Sequence, residues 1–288
     1  MPPVAASLEV LPMLLLPNGL VAPTQRTIAP FALHRPTSVE EAVSEGARPG
    51  AVYAQGCSDL FAQFREGLRC DSLVALDRVA GLDGVVAEDG GLRIGAGVAH
   101  HDGARHEVVR SALPNFAAAW GRIANHRIRQ RATVGGNLMA RRTRYEMSIM
   151  LQALGARLLF HTPEGPLELD PAALWDRPEP PGALLTEVVV PDTAGVWFGY
   201  ERSMRPLATA AVAVRGDQVT LTVGSEYTRP HTVRLALGED PARAAAALPD
   251  GVGDAAAGAD YRRHLAGVLL RRLLDARTAE QAEEKESA

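Results

Sequence analysis

Apolar positions follow helical and strand spacings in turn over roughly the first two thirds of the chain, and mostly strand spacing after that. Pro30-Phe31 reads as extended and leads into His34-Arg-Pro-Thr-Ser-Val-Glu-Glu-Ala42. There Thr37 or Ser38 can cap a helix whose first turn holds Glu40 and Glu41. Val52-Tyr53-Ala54 predicts a short strand running into Gln55-Gly-Cys-Ser-Asp-Leu60, giving strand, tight turn and helix in that order. Residues 73–76 and 92–94 predict further strands, the second entering the small-residue turn Gly95-Ala-Gly97. Residues 116–125 predict a helix. Met147, Met150, Leu151 and Leu154 fall at i, i+3, i+4 and i+7, one buried helical face in which the methionines fill core. Residues 157–161 read as a strand, and Pro178-Glu-Pro-Pro181 as a boundary loop. Beyond it, strand-like runs at 186–190, 208–214, 219–223 and 233–237 predict an antiparallel sheet. Tyr261, Leu265, Val268 and Leu269 mark one face of an amphipathic helix, and the charged residues 278–288 predict a disordered tail. No internal repeat is present.

Composition narrows the function classes. At 288 residues the chain is too long for one small core and fits two or three packed units. A formal charge of −4 supplies no overall basic field for nucleic acid. Cys57 and Cys70 are the two cysteines, which excludes a disulfide framework and any four-thiolate iron–sulfur cluster within this chain. The apolar run 8–16 lacks a basic flank, contains Glu9 and Pro12, and is too short to span a bilayer. We expect a packed extension, or an overextended start with Met13 as a rival initiator, in a cytoplasmic protein without membrane insertion. His100 and His101 are adjacent rather than i, i+4, so no metal site is expected, and His126 reads as a satisfied loop histidine. Neither a Gly-x-Ser-x-Gly elbow nor a Walker loop occurs, and no catalytic residue is assigned.

Two segments carry candidate chemistry. Ile128-Arg-Gln-Arg-Ala-Thr-Val-Gly-Gly-Asn137 sets a threonine, paired glycines and an asparagine just ahead of a helix. An isolated Gly-Gly pair is usually only a turn. In this setting Gly135 and Gly136 can take positive φ and press backbone N–H groups against an anion, with Thr133 and Asn137 adding side-chain donors. Gln55-Gly-Cys-Ser-Asp-Leu60 is a second small-residue loop ahead of a helix. Two such loops converging on one anion suit the diphosphate of a dinucleotide.

These motifs resemble those of the FAD-binding medium subunits of molybdenum hydroxylases, the family of xanthine, carbon monoxide and caffeine dehydrogenase flavoproteins. The family pattern is a loop of the type Ala-Gly-Gly-Thr-Asp-Leu, a strand ending Ile-Gly-Ala, then Ile-Arg-x-x-x-Thr-Ile-Gly-Gly-Asn and a carboxylate nine positions later. This chain has Gln55-Gly-Cys-Ser-Asp-Leu60, Ile94-Gly-Ala96, the 128–137 segment and Glu146 in that order and spacing. His34 to Ala42, Leu184-Leu-Thr-Glu-Val-Val-Val-Pro191 and Asp260-Tyr-Arg262 agree as well, so the likeness spans residues 27–276.

The resemblance implies an α+β fold: a PCMH-type FAD-binding domain of two α/β subdomains (27–84 and 85–180) after an N-terminal extension (1–26). A C-terminal antiparallel sheet with helices (181–277) and the tail follow. It implies that Gly56, Cys57, Ser58 and Asp59 line one side of the FAD diphosphate and Thr133, Gly135, Gly136 and Asn137 the other, with Leu60 and Ala96 in the same cofactor-binding set. Glu146 would reach the nucleotide part, and Arg202 would lie near the isoalloxazine. An iron–sulfur subunit and a molybdopterin subunit are the implied partners, and NAD, oxygen or a quinone the implied acceptor. Cys57 in place of a glycine, Ala99 in place of a threonine, and the arginines of Met139-Ala-Arg-Arg-Thr-Arg-Tyr145 depart from the family pattern. Those arginines read either as a solvated surface or as a phosphate or partner contact. Two alternatives stay open: a stand-alone flavin dehydrogenase or oxidase of a small molecule, and a flavin-free scaffold of the same fold.

Overall fold

A computed structural model describes residues 15–16, 19–20, 28–176, 178–203 and 207–287. Leu15–Leu16 (β1) pairs with Gly19–Leu20 (β2). The rest of the expected extension lies outside the described residues, as do Met204 and Arg205.

The first unit runs β3 (Ala32–His34), α1 (Val39–Gly46), β4 (Ala51–Ala54), α2 (Leu60–Glu66) and β5 (Ser72–Ala75), with β5 between β3 and β4 in a parallel sheet. Ser38 caps α1 as predicted, its Oγ accepting the Glu41 N–H at 3.2 Å.

The middle unit opens with β6 (Val85–Glu88) and β7 (Gly91–Gly95) and continues through α3 (His100–Arg105), α4 (Glu107–Ala112), α5 (Pro114–Trp120), α6 (His126–Arg129), α7 (Val134–Met139) and α8 (Glu146–Ala153). β8 (Arg157–Thr162), β9 (Gly165–Leu169) and β10 (Leu184–Val190) complete an antiparallel sheet in the order β6-β7-β10-β8-β9. β10 was expected to open the C-terminal unit. It is instead the central strand of this sheet, with Val188 and Val190 buried on one face and Val189 on the other. The helix expected over 116–125 ends at Trp120. Ala124 takes φ 50°, and Asn125 starts a new helix by accepting the Ile128 N–H at 3.0 Å.

The last unit is an antiparallel meander of β11 (Trp197–Arg202), β12 (Thr209–Arg215), β13 (Gln218–Gly224) and β14 (His231–Ala236), followed by α9 (Pro241–Ala246) and α10 (Ala259–Ser287). β12 is buried on both faces. Ala210, Val212 and Val214 meet the core under α9 and α10, while Ala211 and Ala213 meet α8 and the middle core. Helices α5 and α8 thus fill the space between two sheets, and Met147, Met150, Leu151 and Leu154 are buried there as their spacing predicts.

Two expectations about the C-terminus are corrected. Tyr261 is 52% exposed, and the buried stripe of α10 is Arg262, Ala266, Leu269, Leu270 and Leu273. The tail predicted to be disordered is helical through Ser287. Its alanine, glutamate and glutamine content favours helix, and Glu280 Oε2 ties it down by accepting from Trp197 Nε1 at 2.8 Å and Asn115 Nδ2 at 3.0 Å.

Arg262, 1% exposed, pairs with Asp254 at 2.6 Å and donates to the Val252 carbonyl at 2.6 Å. A buried pair of this kind is costly to break because the surviving partner stays charged. Arg262→Ala is expected to lower unfolding free energy by about 3–5 kcal/mol, measured by urea denaturation. A loss below 1 kcal/mol would contradict the pairing.

Candidate functional site

The turn after β4 and the segment before α7 press against one another. A Cβ added at Gly56 would lie 1.8 Å from the Arg131 carbonyl oxygen, so only glycine allows the two backbones this close. Cys57 adopts φ 59°, the left-handed region that ordinarily selects glycine. Burial raises its thiol pKa, which Arg131 only partly offsets, so the side chain packs rather than reacts. Among the described residues, the backbone amides of Gly56 through Leu60 meet no acceptor, leaving a run of free donors at the start of α2.

The second loop is built differently from the expectation. Thr133 is the N-cap of α7, its Oγ1 accepting the Gly136 N–H at 3.1 Å. Gly135 and Gly136 are helical rather than left-handed. The Gly135 N–H donates to the Ala96 carbonyl at 2.7 Å, and the Val134 N–H to the Val98 carbonyl at 3.0 Å. A Cβ on Gly135 would stand 2.8 Å from the Ala96 Cβ, so this glycine serves close packing, not an unusual φ. Gly136 faces outward from the same turn and is exposed.

A cleft of about 560 Å³ lies where the three units meet. It is lined by Gly56, Cys57, Ser58, Asp59, Leu60, Thr133, Gly136, Asn137, Glu146 and Arg202; Ala96 and Gly135 sit behind its wall. Three lining residues hold buried polar atoms with no partner among the described residues: Asn137 Oδ1, Gln55 Oε1 and His100 Nε2. Buried polar groups are nearly always satisfied, so these atoms are candidates for a partner that the chain itself does not supply.

Asp59 is the junction of three segments. It accepts from Tyr145 Oη at 2.7 Å, from Arg142 Nε at 3.3 Å and from Gln63 Nε2. Burial pushes its carboxyl up, but these donors outweigh that and hold it below the usual carboxylate range. Tyr145, half-buried and bonded to Asp59, is pushed up to about 12. The arginine run is therefore not simply solvated: Arg141 pairs with Glu179, Arg142 with Asp59, and Arg144 lies over the Tyr145 ring at 5.9 Å.

Residues 108–145 carry eight arginines and no carboxylate in a chain of net charge −4. Arg129 and Arg131 act electrostatically on His100 and Cys57 in the cleft wall, and Arg122 on Tyr200 of β11. The cleft lining itself carries Arg144 and Arg202 against the carboxylates of Asp59, Glu146 and Glu226. His100, fully buried, accepts from Trp120 Nε1 at 2.8 Å through Nδ1, and burial with the charge of Arg129 pushes it down to about 4. It is neutral at pH 7, with its proton on Nε2. No three His, Cys, Asp or Glu side chains cluster as a metal site among the described residues, and no described helix is long and apolar enough to cross a membrane.

Sequence reasoning missed Tyr145, Gln63, Gln55, Tyr200 and His100. The first three flank or lie within the two loop segments and Tyr200 stands two positions from Arg202, so adjacency was the available signal. His100 was weighed only as a metal ligand. Glu146 and Arg202, expected at different parts of the cofactor, are ion-paired at 2.9 Å.

Residues 29–193 match the family profile described as the FAD binding domain in molybdopterin dehydrogenase, a match that ends just after β10. The carbon monoxide dehydrogenase medium chain of Afipia carboxidovorans is 29% identical over 280 residues, covering 85% of this chain and 96% of that one. The xanthine dehydrogenase FAD-binding subunit of Escherichia coli O157:H7 is 30% identical over 135 residues, 46% of each chain. A crystal structure of Cu,Mo-CO dehydrogenase in its cyanide-inactivated form is similar with a TM-score of 0.75 at 25% identity, over 87% of this chain and 98% of that one.

Proposed function

The chain belongs to the family of FAD-binding domains of molybdopterin dehydrogenases, and from that premise we propose that it is the FAD-carrying electron-transfer subunit of a molybdenum hydroxylase. The observation that carries this reading is the close approach of the Gly56 and Arg131 backbones, which brings the free amides of Gly56–Leu60 and the Thr133–Asn137 turn to one cleft.

The residues present fit FAD. Five free amides from Gly56 to Leu60 suit a diphosphate, the exposed Gly136 leaves room for it, and the orphaned Asn137 Oδ1 and Gln55 Oε1 can accept from ligand hydroxyl or amino groups. Asp59, held by Tyr145, Gln63 and Arg142, fixes the first loop against the segment that follows Asn137. Arg144 and Arg202, the arginines that line the cleft, bring positive charge toward the ligand's diphosphate. Bound FAD would supply a redox group that exchanges electrons singly with iron–sulfur centres and in pairs with an acceptor. This chain then needs no acid–base residue for substrate chemistry. Its task is to hold the flavin, keep the diphosphate neutralised and exclude bulk water from the inner wall at His100 and Thr133.

Because two cysteines cannot build a four-thiolate cluster, electrons would arrive from an iron–sulfur subunit, itself fed by a molybdopterin subunit. NAD, oxygen or a quinone would receive them. The test is purification of the chain with its tightly associated subunits. One FAD per chain with copurifying iron and molybdenum is expected; a chain that takes up no added FAD would overturn the reading.

A further inference from the structure

Glu146 opens α8 on the middle unit, and Tyr200 and Arg202 stand two positions apart on β11, so their side chains share one face of the C-terminal sheet. A single carboxylate oxygen, Glu146 Oε1, accepts both the Tyr200 hydroxyl and Arg202 Nη1, the latter at 2.9 Å. Glu146 is 9% exposed, whereas the Arg202 side chain is 53% exposed. Both line the cleft. A carboxylate this deeply placed needs hydrogen-bonding or charged partners, and its position in the first turn of α8 adds the favourable end of the helix dipole. Arg202 is the mobile member: a long, half-exposed side chain that would sample many rotamers without an anchor. Tyr200, whose hydroxyl proton burial and Glu146 hold firmly in place, fixes the carboxylate from the other side.

We propose that Glu146 is a positioning residue for Arg202, rather than a direct ligand of the nucleotide. It locks one edge of the guanidinium across the junction of α8 and β11 and leaves the other N–H groups of Arg202 to meet an electron-rich or anionic part of the cofactor. This rests on the cleft holding FAD, as proposed above. Glu146 then acts on the cofactor only through Arg202, and Tyr200 acts only through Glu146.

The consequence is measurable as non-additivity. In flavin-free full-length protein titrated with FAD, Arg202→Met and Glu146→Gln are each expected to weaken binding by about tenfold. The double variant should lie within about twofold of Arg202→Met alone, because once the guanidinium is gone the anchor has nothing to position. Tyr200→Phe should give a smaller loss that likewise vanishes in the Arg202→Met background. Melting temperatures of the flavin-free variants separate this from a structural role, which would move stability and leave the cycle in FAD affinity flat. Multiplying losses, about a hundredfold in the double variant, would show Glu146 contacting the ligand itself and overturn the proposal while leaving the FAD reading intact. A wild-type chain that binds no FAD would overturn both.

Discussion

Gly136→Asp is expected to give a folded, colourless protein. Gly136 is the third residue of α7, exposed at the cleft, and a Cβ there meets only Thr133 Oγ1 at 3.0 Å. An aspartate in the first turn of a helix is electrostatically favoured, so the substitution should not harm α7. Its carboxylate would instead project into the cleft, where the proposed diphosphate site lies. Two like charges about 5 Å apart repel by roughly 3 kcal/mol at an effective dielectric of about 20. That costs about two orders of magnitude in affinity for each phosphate charge, enough to strip flavin during purification. Gly136→Ala separates charge from size: it should keep its flavin with an affinity within about tenfold of wild type. The readouts are the ratio of flavin to protein absorbance and the melting temperature. A yellow, folded Gly136→Asp variant with a full complement of FAD would place the diphosphate elsewhere.

Gly56→Ala is expected to be the most damaging single-methyl change in the site. The added Cβ would sit 1.8 Å from the Arg131 carbonyl oxygen and 2.7 Å from its carbonyl carbon. Both are backbone atoms, so no rotamer change relieves the clash and the two loops must part. Overpacking of this kind costs about 1–3 kcal/mol of stability. Separation of the loops also disperses the free amides from the Thr133–Asn137 turn, and we expect FAD affinity to fall at least about a hundredfold. Urea denaturation and FAD titration read the two effects. Wild-type values for both would mean that the loops do not touch in solution.

The sequence carried what is local and periodic. The Ser38 cap and the buried methionine face of α8 follow from spacing alone, because each depends on residues within one or two turns. The glycine segment was legible as a candidate ligand loop but not in its conformation. Whether Gly135 serves a positive φ or a close approach depends on Ala96, a strand away, and the contact with Ala96 decides for the second. The same limit explains β10. Its apolar run is equally compatible with opening one sheet or completing another, and only the pairing with β7 and β8 distinguishes them. Charge composition suggested disorder for the tail, where Glu280 finds Trp197 and Asn115. Residues 56 positions apart meet in the Glu146–Arg202 pair, and nothing in their local spacing announces it.

The claim on which the account depends is that two backbone loops, one at Gly56–Leu60 and one at Thr133–Asn137, together grip a diphosphate. The direct measurement is a comparative titration of the flavin-free chain with FAD, FMN and riboflavin, three ligands that share a ring system and differ in phosphate. The account predicts that FAD binds at one site per chain and at least about a hundredfold more tightly than FMN, with riboflavin weaker still. Equal affinities for FAD and FMN would contradict it.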